Sequence, residues 1–315
     1  MSNRAFRYSF VIPTYKRPDV LEQCLEHIAE LGYDRDRINV FVIDNGETEH
    51  TADVGKAFEH RLNLSYIVNE KNLGPGGSLN KGLELADGDR IIIANDDALI
   101  PKEFLQRCDV VFEMDPAIGC IGFRAIEDGY EDDGGPIGVV GPNGNVAGNF
   151  SRTTDEPVDV DHVYGFCYAI TRTALESAGP FDETLLARPY ASGNRIETDH
   201  CLEMRRFGYR VVYDGQTGVR HLAKPRLDIN ERSLRWRLND IRNTLYLLLK
   251  HYGWFGRGAL SLRYALLHDL GLRSACFRPT QQNLAYFLTG VRGRLSAAVH
   301  WLRYRCSRSR PTTGG

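Results

Sequence analysis

Three polar residues, Asn95-Asp96-Asp97, directly follow the apolar run Arg90 to Ala94. The run predicts a buried strand, so the acidic pair lies at its carboxyl end, where open α/β sheets bind ligands. Two adjacent carboxylates repel one another unless a cation or hydrogen bonds compensate their charge. The pattern therefore predicts a site for a divalent cation and the diphosphate that it neutralises, with Asp97 as the metal ligand, Asp96 toward a ribose or sugar and Asn95 as a further contact of the donor nucleotide.

A glycine-rich segment, Asn72 to Gly82, precedes that strand and opens a helix. Glycine lets the backbone approach a ligand closely, and the amino end of a helix attracts anions. Asn72, Gly74 and Gly77 are therefore predicted to contact the same nucleotide.

Two other predicted strands end in residues that suit this site. The first ends in Pro13-Thr14-Tyr15-Lys16-Arg17, where a dinucleotide-binding fold would carry GxGxxG, and this argues against an NAD enzyme. The second ends at Asp44, which can accept hydrogen bonds from a base or ribose or can simply form a turn. Pro13, Thr14, Tyr15, Arg17 and Asp44 are predicted to seat the nucleotide. The chain has no GxxxxGK[ST] motif, which excludes phosphate-loop NTPases.

Four segments in this order resemble the family 2 glycosyltransferases of the GT-A fold: VIPTYKRPDVLEQCLE, FVIDNGETEHT, NEKNLGPGGSLNKGLELADGD and ANDDALI. The resemblance covers about residues 8 to 225 and includes a GxFDE-like segment that starts at Gly179. It implies a Rossmann-like, mostly parallel sheet flanked by helices, a UDP- or dTDP-sugar donor, Mg²⁺ or Mn²⁺, and a glycan or polyprenol-linked acceptor. The glycine-rich segment is most similar to the rhamnosyl- and galactofuranosyltransferase branch.

The resemblance also implies catalytic roles. Ile196 to Tyr209 aligns with the family's ED-x-D-L-C-L-R-x-x-x-x-G-Y block, which places Glu197 at the catalytic base and leaves Asp199 as the reserve candidate. His221 takes the position of a metal-binding histidine and joins Asp97. The acceptor-side strand of the family corresponds to Tyr164, Gly165 and Phe166.

Three positions depart from the family pattern. The metal motif is Asn-Asp-Asp rather than Asp-x-Asp, Glu replaces Asp at residue 197, and Leu79 stands where some members carry an arginine. Lys81 can supply the missing positive charge. The alternative to an active transferase is a catalytically silent protein that binds a nucleotide sugar or glycan on the same fold. A sugar nucleotidyltransferase is disfavoured because the first strand lacks a GxGTR-type loop.

Alternating strand-like and helical patterns predict the βα order of an α/β sheet through residue 125. Predicted strands are 8–12, 39–43, 64–68, 90–94, 119–123, 160–171, 210–213 and 218–221, and predicted helices are 20–31, 101–114, 174–179, 197–207 and 230–251. Residues 129–150 are rich in turn formers and predict a hairpin or mobile lid. The predicted domains are a catalytic domain over 1–225, a helical region over 226–305 and a disordered tail over 306–315.

Charge is divided unevenly along the chain. Residues 251–315 hold ten arginines and one acid, a net charge of +9, whereas the first 250 residues carry −11. Together with many aromatic residues, this predicts that residues 251–310 contact an anionic membrane, with a helical hairpin covering the catalytic domain as the alternative. A nucleic-acid partner is not expected, because no nucleic-acid-binding module is recognisable. Seven scattered cysteines and the lack of a signal peptide favour the cytoplasm, with the inner face of the cell membrane as the expected working site.

Overall fold

The computed structural model describes residues 6–46, 49–141, 144–186, 194–222, 233–257 and 280–308. Strands and helices alternate in its first part: β1 (Tyr8–Thr14), α1 (Pro18–Ala29), β2 (Ile38–Asp44), α2 (Glu49–Phe58), β3 (Leu64–Val68), α3 (Gly74–Leu85), β4 (Arg90–Ala94), β5 (Ala98–Leu99), α4 (Phe104–Met114) and β6 (Ile118–Ile126). The remaining elements are β7 (Val139–Val140), β8 (Val146–Ala147), β9 (Val158–Asp159), β10 (Cys167–Thr171), α5 (Arg172–Ala178), α6 (Ile196–Arg206), β11 (Arg210–His221), α7 (Leu234–Tyr252) and α8 (Gln281–Arg308).

The central sheet has the order β3-β2-β1-β4-β10-β6-β11-β5, with β9 paired to β11. Strands β3, β2, β1 and β4 pair in parallel, and so do β6 and β11. The pairs that β10 forms with β4 and β6, and that β11 forms with β5 and β9, are antiparallel. This confirms the α/β sheet that the N-terminal strands predicted. Since β1, β2 and β4 are parallel neighbours, their carboxyl ends meet at one edge of the sheet.

Continuous apolar runs explain the buried strands. All seven residues of β1 and all five of β4 are buried, as expected for parallel strands that helices cover on both faces. Helix α3 approaches β1 closely because residue 82 is glycine: a Cβ there would lie 2.3 Å from Val11 Cγ1. Part of the glycine-rich pattern therefore serves helix packing.

The structure corrects two predicted strand boundaries. Only Cys167–Thr171 of the predicted strand 160–171 is a strand, because the backbone amides of Asp161 and His162 instead donate to the carbonyl of Gly138. The predicted strands 210–213 and 218–221 are one strand, β11, with a register shift between Asp214 and Gly218. Asp214 is fully buried there and accepts hydrogen bonds from Arg107 and Thr217.

The predicted hairpin within 129–150 is confirmed by the two-stranded sheet of β7 and β8.

The chain divides into two compact units. The first comprises residues 1–139, 147–190 and 196–226, and the second comprises 140–146, 191–195 and 227–315. In the second unit α8 packs on α7, where a Cβ on Gly293 would lie 3.0 Å from Ile241 Cγ2. Helix α8 includes Cys306 to Arg308, and residues 309–315 lie outside the described residues, so the disorder of the tail stays a prediction. Among the described helices, none is long and apolar enough to cross a membrane.

Candidate active site

Backbone hydrogen bonds bring the predicted strand ends together. Asn45 N donates to Thr14 O, which joins the ends of β1 and β2. Asn95 N donates to Phe166 O at 2.7 Å, and Leu222 N donates to Asp97 O at 2.9 Å. The segment after β4 is therefore held between the start of β10 and the end of β11. The first compact unit contains all of these residues.

Asp96 is tied to the end of β1. Its carboxylate is 1% exposed and accepts hydrogen bonds from Thr14 Oγ1 at 2.7 Å and from the Arg17 guanidinium. Burial raises the pKa of Asp96 to about 6, although Arg17 and Thr14 favour its ionised form. Thr14 and Arg17, predicted to contact the nucleotide, thus hold the acidic pair, and their role toward a nucleotide stays a prediction.

Asp97 lies between Arg17 and His221. Arg17 Nη1 donates to Asp97 Oδ2 at 2.9 Å, and His221 Nε2 lies 3.2 Å from Asp97 Oδ1. Burial acts to raise the pKa of Asp97, but the neighbouring His221 and Arg17 outweigh it and bring the pKa below its usual value. Although His221 is within ion-pair distance, Oδ1 is buried and accepts no aligned hydrogen bond. One oxygen of Asp97 therefore keeps capacity for a cation.

Glu127 orients His221 from the other side. Its Oε1 lies 2.8 Å from His221 Nδ1, and the Phe166 ring stacks on the imidazole with centroids 4.5 Å apart. Burial acts to lower the pKa of His221, but Asp97 and Glu127 outweigh it and raise the pKa to about 9. When the imidazole is neutral, a proton on Nδ1 facing Glu127 leaves the Nε2 lone pair toward Asp97, which is the arrangement of metal-binding histidines.

Glu127 was not among the predicted site residues. It directly follows β6, so its position at a strand end was a signal that could have identified it. The turn-rich composition that begins at Gly129 instead led to the prediction of a lid.

The residues present fit a divalent cation only with help from a ligand. No group of three or more His, Cys, Asp or Glu side chains within the described ranges is arranged to hold a metal ion. Asp97 and His221 can contribute one oxygen and one nitrogen, and the remaining positions would belong to phosphates and water. Such a set suits a cation that arrives with a nucleotide diphosphate.

The glycine-rich segment is fixed to the end of β2 by a network of amide side chains. Asn45 Oδ1 accepts from Leu73 N and from Asn69 Nδ2, and Asn69 Oδ1 accepts from Lys81 Nζ at 2.8 Å. Asn72 Oδ1 accepts from the backbone N–H of Gly74, whose φ of 73° favours glycine. A Cβ on Gly77 would lie 2.8 Å from Leu73 Cβ. Lys81 therefore supports the segment from within.

Asp44 is fully buried at the end of β2. One carboxylate oxygen accepts from Gly46 N at 2.9 Å and the other from Tyr66 Oη at 2.5 Å. The Tyr15 ring lies over Gly46, where a Cβ would be 2.4 Å from Tyr15 Cε2, and is 44% exposed. Pro13 is buried in β1 beside Ile43. An exposed aromatic ring next to a buried carboxylate is compatible with a base-binding role, which stays a prediction for these residues.

Glu197 lies beside the segment that leads into β10. A Cβ on Gly165 would lie 3.2 Å from Glu197 Cδ, so glycine at that position makes space for the carboxylate. The next residue is Phe166, which stacks on His221, and Tyr164 packs its ring 4.9 Å from that of Phe166. Glu197 is partly exposed, whereas Asp199 is 3% exposed. Of the two acids, Glu197 has the better access to a substrate.

A mixed α/β sheet that carries an acidic pair and a histidine along one edge is the architecture of a GT-A glycosyltransferase. Residues 9–177 match the profile of glycosyl transferase family 2. This segment is more than half of the chain, and the protein belongs to that family.

Curated relatives match at low identity. The poly(ribitol-phosphate) β-N-acetylglucosaminyltransferase TarS of Staphylococcus aureus is 28% identical over 101 residues, which are 32% of this chain and 18% of TarS. The glycosyltransferase AglE of Haloferax volcanii is 24% identical over 235 residues, which are 72% of this chain and 70% of AglE. The match therefore spans about a fifth of the length of TarS and about two thirds of AglE.

Solved structures confirm the fold. A crystal structure of an S. aureus TarS fragment superimposes with a TM-score of 0.63 at 14% identity and covers 93% of this chain and 81% of that one. The mannosyltransferase PcManGT from Pyrobaculum calidifontis, solved with GDP-Man and Mn²⁺, gives a TM-score of 0.54 at 17% identity and covers 94% of this chain and 87% of that one. At these identities the likeness establishes a shared fold.

Proposed function

We propose that this protein is an inverting, metal-dependent glycosyltransferase. It moves a sugar from a UDP- or dTDP-linked donor to a hydroxyl of a glycan or lipid-linked acceptor. One observation carries the proposal: the adjacent residues Gly165 and Phe166 lie beside both halves of the site, because Gly165 makes space for the Glu197 carboxylate and the Phe166 ring stacks on His221, which lies 3.2 Å from Asp97. A sugar transfer needs a base and a cation site for the leaving phosphates close to each other.

Glu197 acts as the base in this reaction. The acceptor oxygen attacks the anomeric carbon as its proton passes to the Glu197 carboxylate, and the bond from that carbon to the phosphate oxygen breaks. The electron pair leaves with the nucleoside diphosphate. A divalent cation, when bound, supplies charge neutralisation to this leaving group. Attack opposite the leaving group inverts the configuration of the anomeric carbon.

Asp97 and His221 Nε2 would hold the cation, and Glu127 keeps the imidazole in the orientation that presents Nε2. Asp96 is the contact for the ribose or sugar, while Arg17 and Thr14 keep it in place. Asp44, Tyr15, Asn72 and Gly74 form the nucleotide side. Tyr164, Gly165 and Phe166 form the acceptor side.

The acceptor determines where the protein works. A polyprenol-linked acceptor resides in a membrane, and the basic residues beyond 250 suit the anionic inner face of the cell membrane. We therefore place the reaction in the cytoplasm, at that surface, in the synthesis of a cell-surface glycan. Relatives named as a poly(ribitol-phosphate) β-N-acetylglucosaminyltransferase and as an amylovoran biosynthesis glycosyltransferase support a role in glycoconjugate synthesis by analogy.

A panel of UDP-, dTDP- and GDP-sugars, each with Mn²⁺, tests the proposal in two assays. A sugar donor that binds the folded state raises the melting temperature, and an active transferase also releases nucleoside diphosphate from that sugar donor. A melting shift without any release, with water or with a range of acceptors, would identify the catalytically silent alternative. The Asn95 and Glu197 departures from the family pattern are the reason to run both assays.

A further inference from the structure

Helix α8 exposes a continuous row of apolar side chains, the leucine stripe, which comprises Leu284, Leu288, Leu295, Val299 and Leu302. Each is between 47 and 64% exposed. At about 100° per residue, these positions fall within a sector of roughly 60° on one side of the helix. Single exposed leucines are ordinary, but five along one line form an apolar surface that calls for a partner.

The opposite side of α8 accounts for its packing within the second unit. Ala297 and Trp301 are buried, Gly293 lies against Ile241, and the Tyr304 ring is 6.3 Å from that of Tyr246 on α7. The helix therefore has two apolar sides, and α7 covers only one of them.

Positive charge borders the leucine stripe on both edges. The same helical geometry places Arg292 and Arg303 along one edge and Arg294 and Arg305 along the other. Three of these, Arg292, Arg303 and Arg305, are exposed. Residues 281–308 include five arginines and no Asp or Glu. Arginine stems can lie along an apolar surface while their guanidinium groups reach anionic headgroups.

Two exposed aromatic residues lie at the end of α7, and one of them is next to α8. Trp254 and Phe255 follow α7 and are 42 and 96% exposed. The Trp254 ring lies 6.1 Å from that of Trp301 on α8. Exposed aromatic rings beside a basic amphipathic helix are typical of elements that lie in the membrane interface.

We propose that the leucine stripe and its arginine borders dock on an anionic phospholipid bilayer, with α8 in the plane of the interface. A second copy of the chain fits less well, because pairing two stripes would bring arginine borders together with no acidic side chain on α8 to neutralise them. The biological role of this docking rests on the proposed function, because docking brings the protein to the bilayer that holds a lipid-linked acceptor. Its test does not require transfer.

Vesicle flotation of the full chain measures the docking. We expect binding to vesicles with about one third phosphatidylglycerol in phosphatidylcholine, weakened at about 0.5 M NaCl, and little binding to phosphatidylcholine alone. The double variant Leu288→Asp/Leu295→Asp should lower vesicle binding at least about tenfold. The control is Val110→Asp/Met114→Asp on α4. It also replaces two exposed apolar side chains, 49 and 50% exposed, by two carboxylates, but away from the leucine stripe. It should bind vesicles like the wild type.

Two results would overturn the proposal. One is unchanged vesicle binding by the leucine-stripe variant while the protein remains folded by circular dichroism. The other is a wild-type dimer in light scattering that the variant converts to monomer, which would assign the stripe to a second copy. Release of nucleoside diphosphate in solution, measured on the same variant, keeps the two proposals separate. Vesicle binding can be lost while this activity persists, and the activity can be absent while vesicle binding persists.

Discussion

Removing the Arg17 side chain should destabilise the protein and, at the same time, strengthen its binding of a divalent cation. Arg17 is the cation that the structure places between Asp96 and Asp97, with hydrogen bonds to both carboxylates. Arg17→Ala leaves these two carboxylates, 1 and 9% exposed, without their shared counter-charge. Manganese can then take over part of that role.

The magnitude follows from burial. Removing one partner of a buried ion pair costs about 3–5 kcal/mol. The Arg17 side chain is 42% exposed, and the resulting screening reduces the expected loss to about 1–3 kcal/mol. Asp96 also limits the loss, because its pKa is already about 6 and protonation relieves the remaining repulsion. We expect the melting temperature to fall by roughly 3–8 °C.

The gain in metal binding follows from Coulomb's law. A guanidinium and a divalent cation about 5 Å apart repel by at least about 1.5 kcal/mol, even at the dielectric constant of water, which corresponds to about tenfold in affinity. Mn²⁺ should therefore raise the melting temperature of Arg17→Ala more than that of the wild type. Isothermal titration with Mn²⁺ in the presence of UDP gives the affinities directly.

The control is Arg61→Ala. Arg61 also forms a bidentate ion pair, in this case with Glu26. Both side chains are more than 40% exposed, and Arg61 does not bridge two buried carboxylates as Arg17 does. Neither its melting temperature nor its response to Mn²⁺ should change measurably. An Arg17→Ala protein with weaker Mn²⁺ binding than the wild type would refute the reasoning, because Arg17 would then assist the cation rather than compete with it.

Three further predictions concern the parts of the site that surround Asp97. Glu127→Ala removes the group that orients His221 and should weaken Mn²⁺ binding about 10–100-fold in titration calorimetry, whereas Asp128→Ala, whose side chain is 98% exposed, should have no effect. Gly165→Ala puts a methyl group 3.2 Å from Glu197 Cδ and should lower kcat without changing the melting shift caused by the sugar donor; an equal loss of that shift would mean that the donor site itself was disturbed. In EDTA, the free energy of unfolding should decrease as pH rises from about 6.5 to about 9, by on the order of 3 kcal/mol, because the folded state holds the proton of His221 up to a pKa of about 9 and the unfolded state loses it near 6.5. Urea unfolding across this range should show the slope in the wild type and not in His221→Gln.

The sequence was sufficient to predict which strand ends meet, because parallel strands deliver their last residues to a common edge. The apolar runs that form β1, β2 and β4 are short, continuous and flanked by polar residues, so the ends of these strands could be located from the sequence. Asp96 accepts a hydrogen bond from Thr14 as a result of that topology. His221 joins them because β11 pairs with β5 directly after the acidic pair.

Partners set by turns and loops were harder to predict. Arg17 follows Lys16, whose φ of 53° is uncommon outside glycine, and no local pattern indicates that this turn carries the guanidinium to the carboxylates. Glu127 stands beside a turn-rich segment and has no periodicity to mark it. Strand β11 continues through Gln216-Thr217-Gly218 by a shift in register, whereas turn-forming residues predicted a break.

Lys81 illustrates a different difficulty. A lysine beside a glycine-rich segment suggests an anion contact, yet its ammonium group donates to Asn69 in a network that fixes the segment. Sequence shows the charge of such a residue but does not show which acceptor is nearer. The same holds for Asp44, whose two oxygens are engaged by Gly46 and Tyr66.

Transfer by Glu197→Gln is the measurement that tests the central claim most directly. With the sugar donor that gives the largest melting shift, we expect this variant to keep the shift and to lose about 10²–10⁴-fold in transfer rate, the usual contribution of a general base. The matched variant Asp199→Asn should retain the larger part of the activity if it folds. Transfer by Glu197→Gln at the wild-type rate would contradict the account, because the only base that it assigns to the acceptor hydroxyl would then be dispensable.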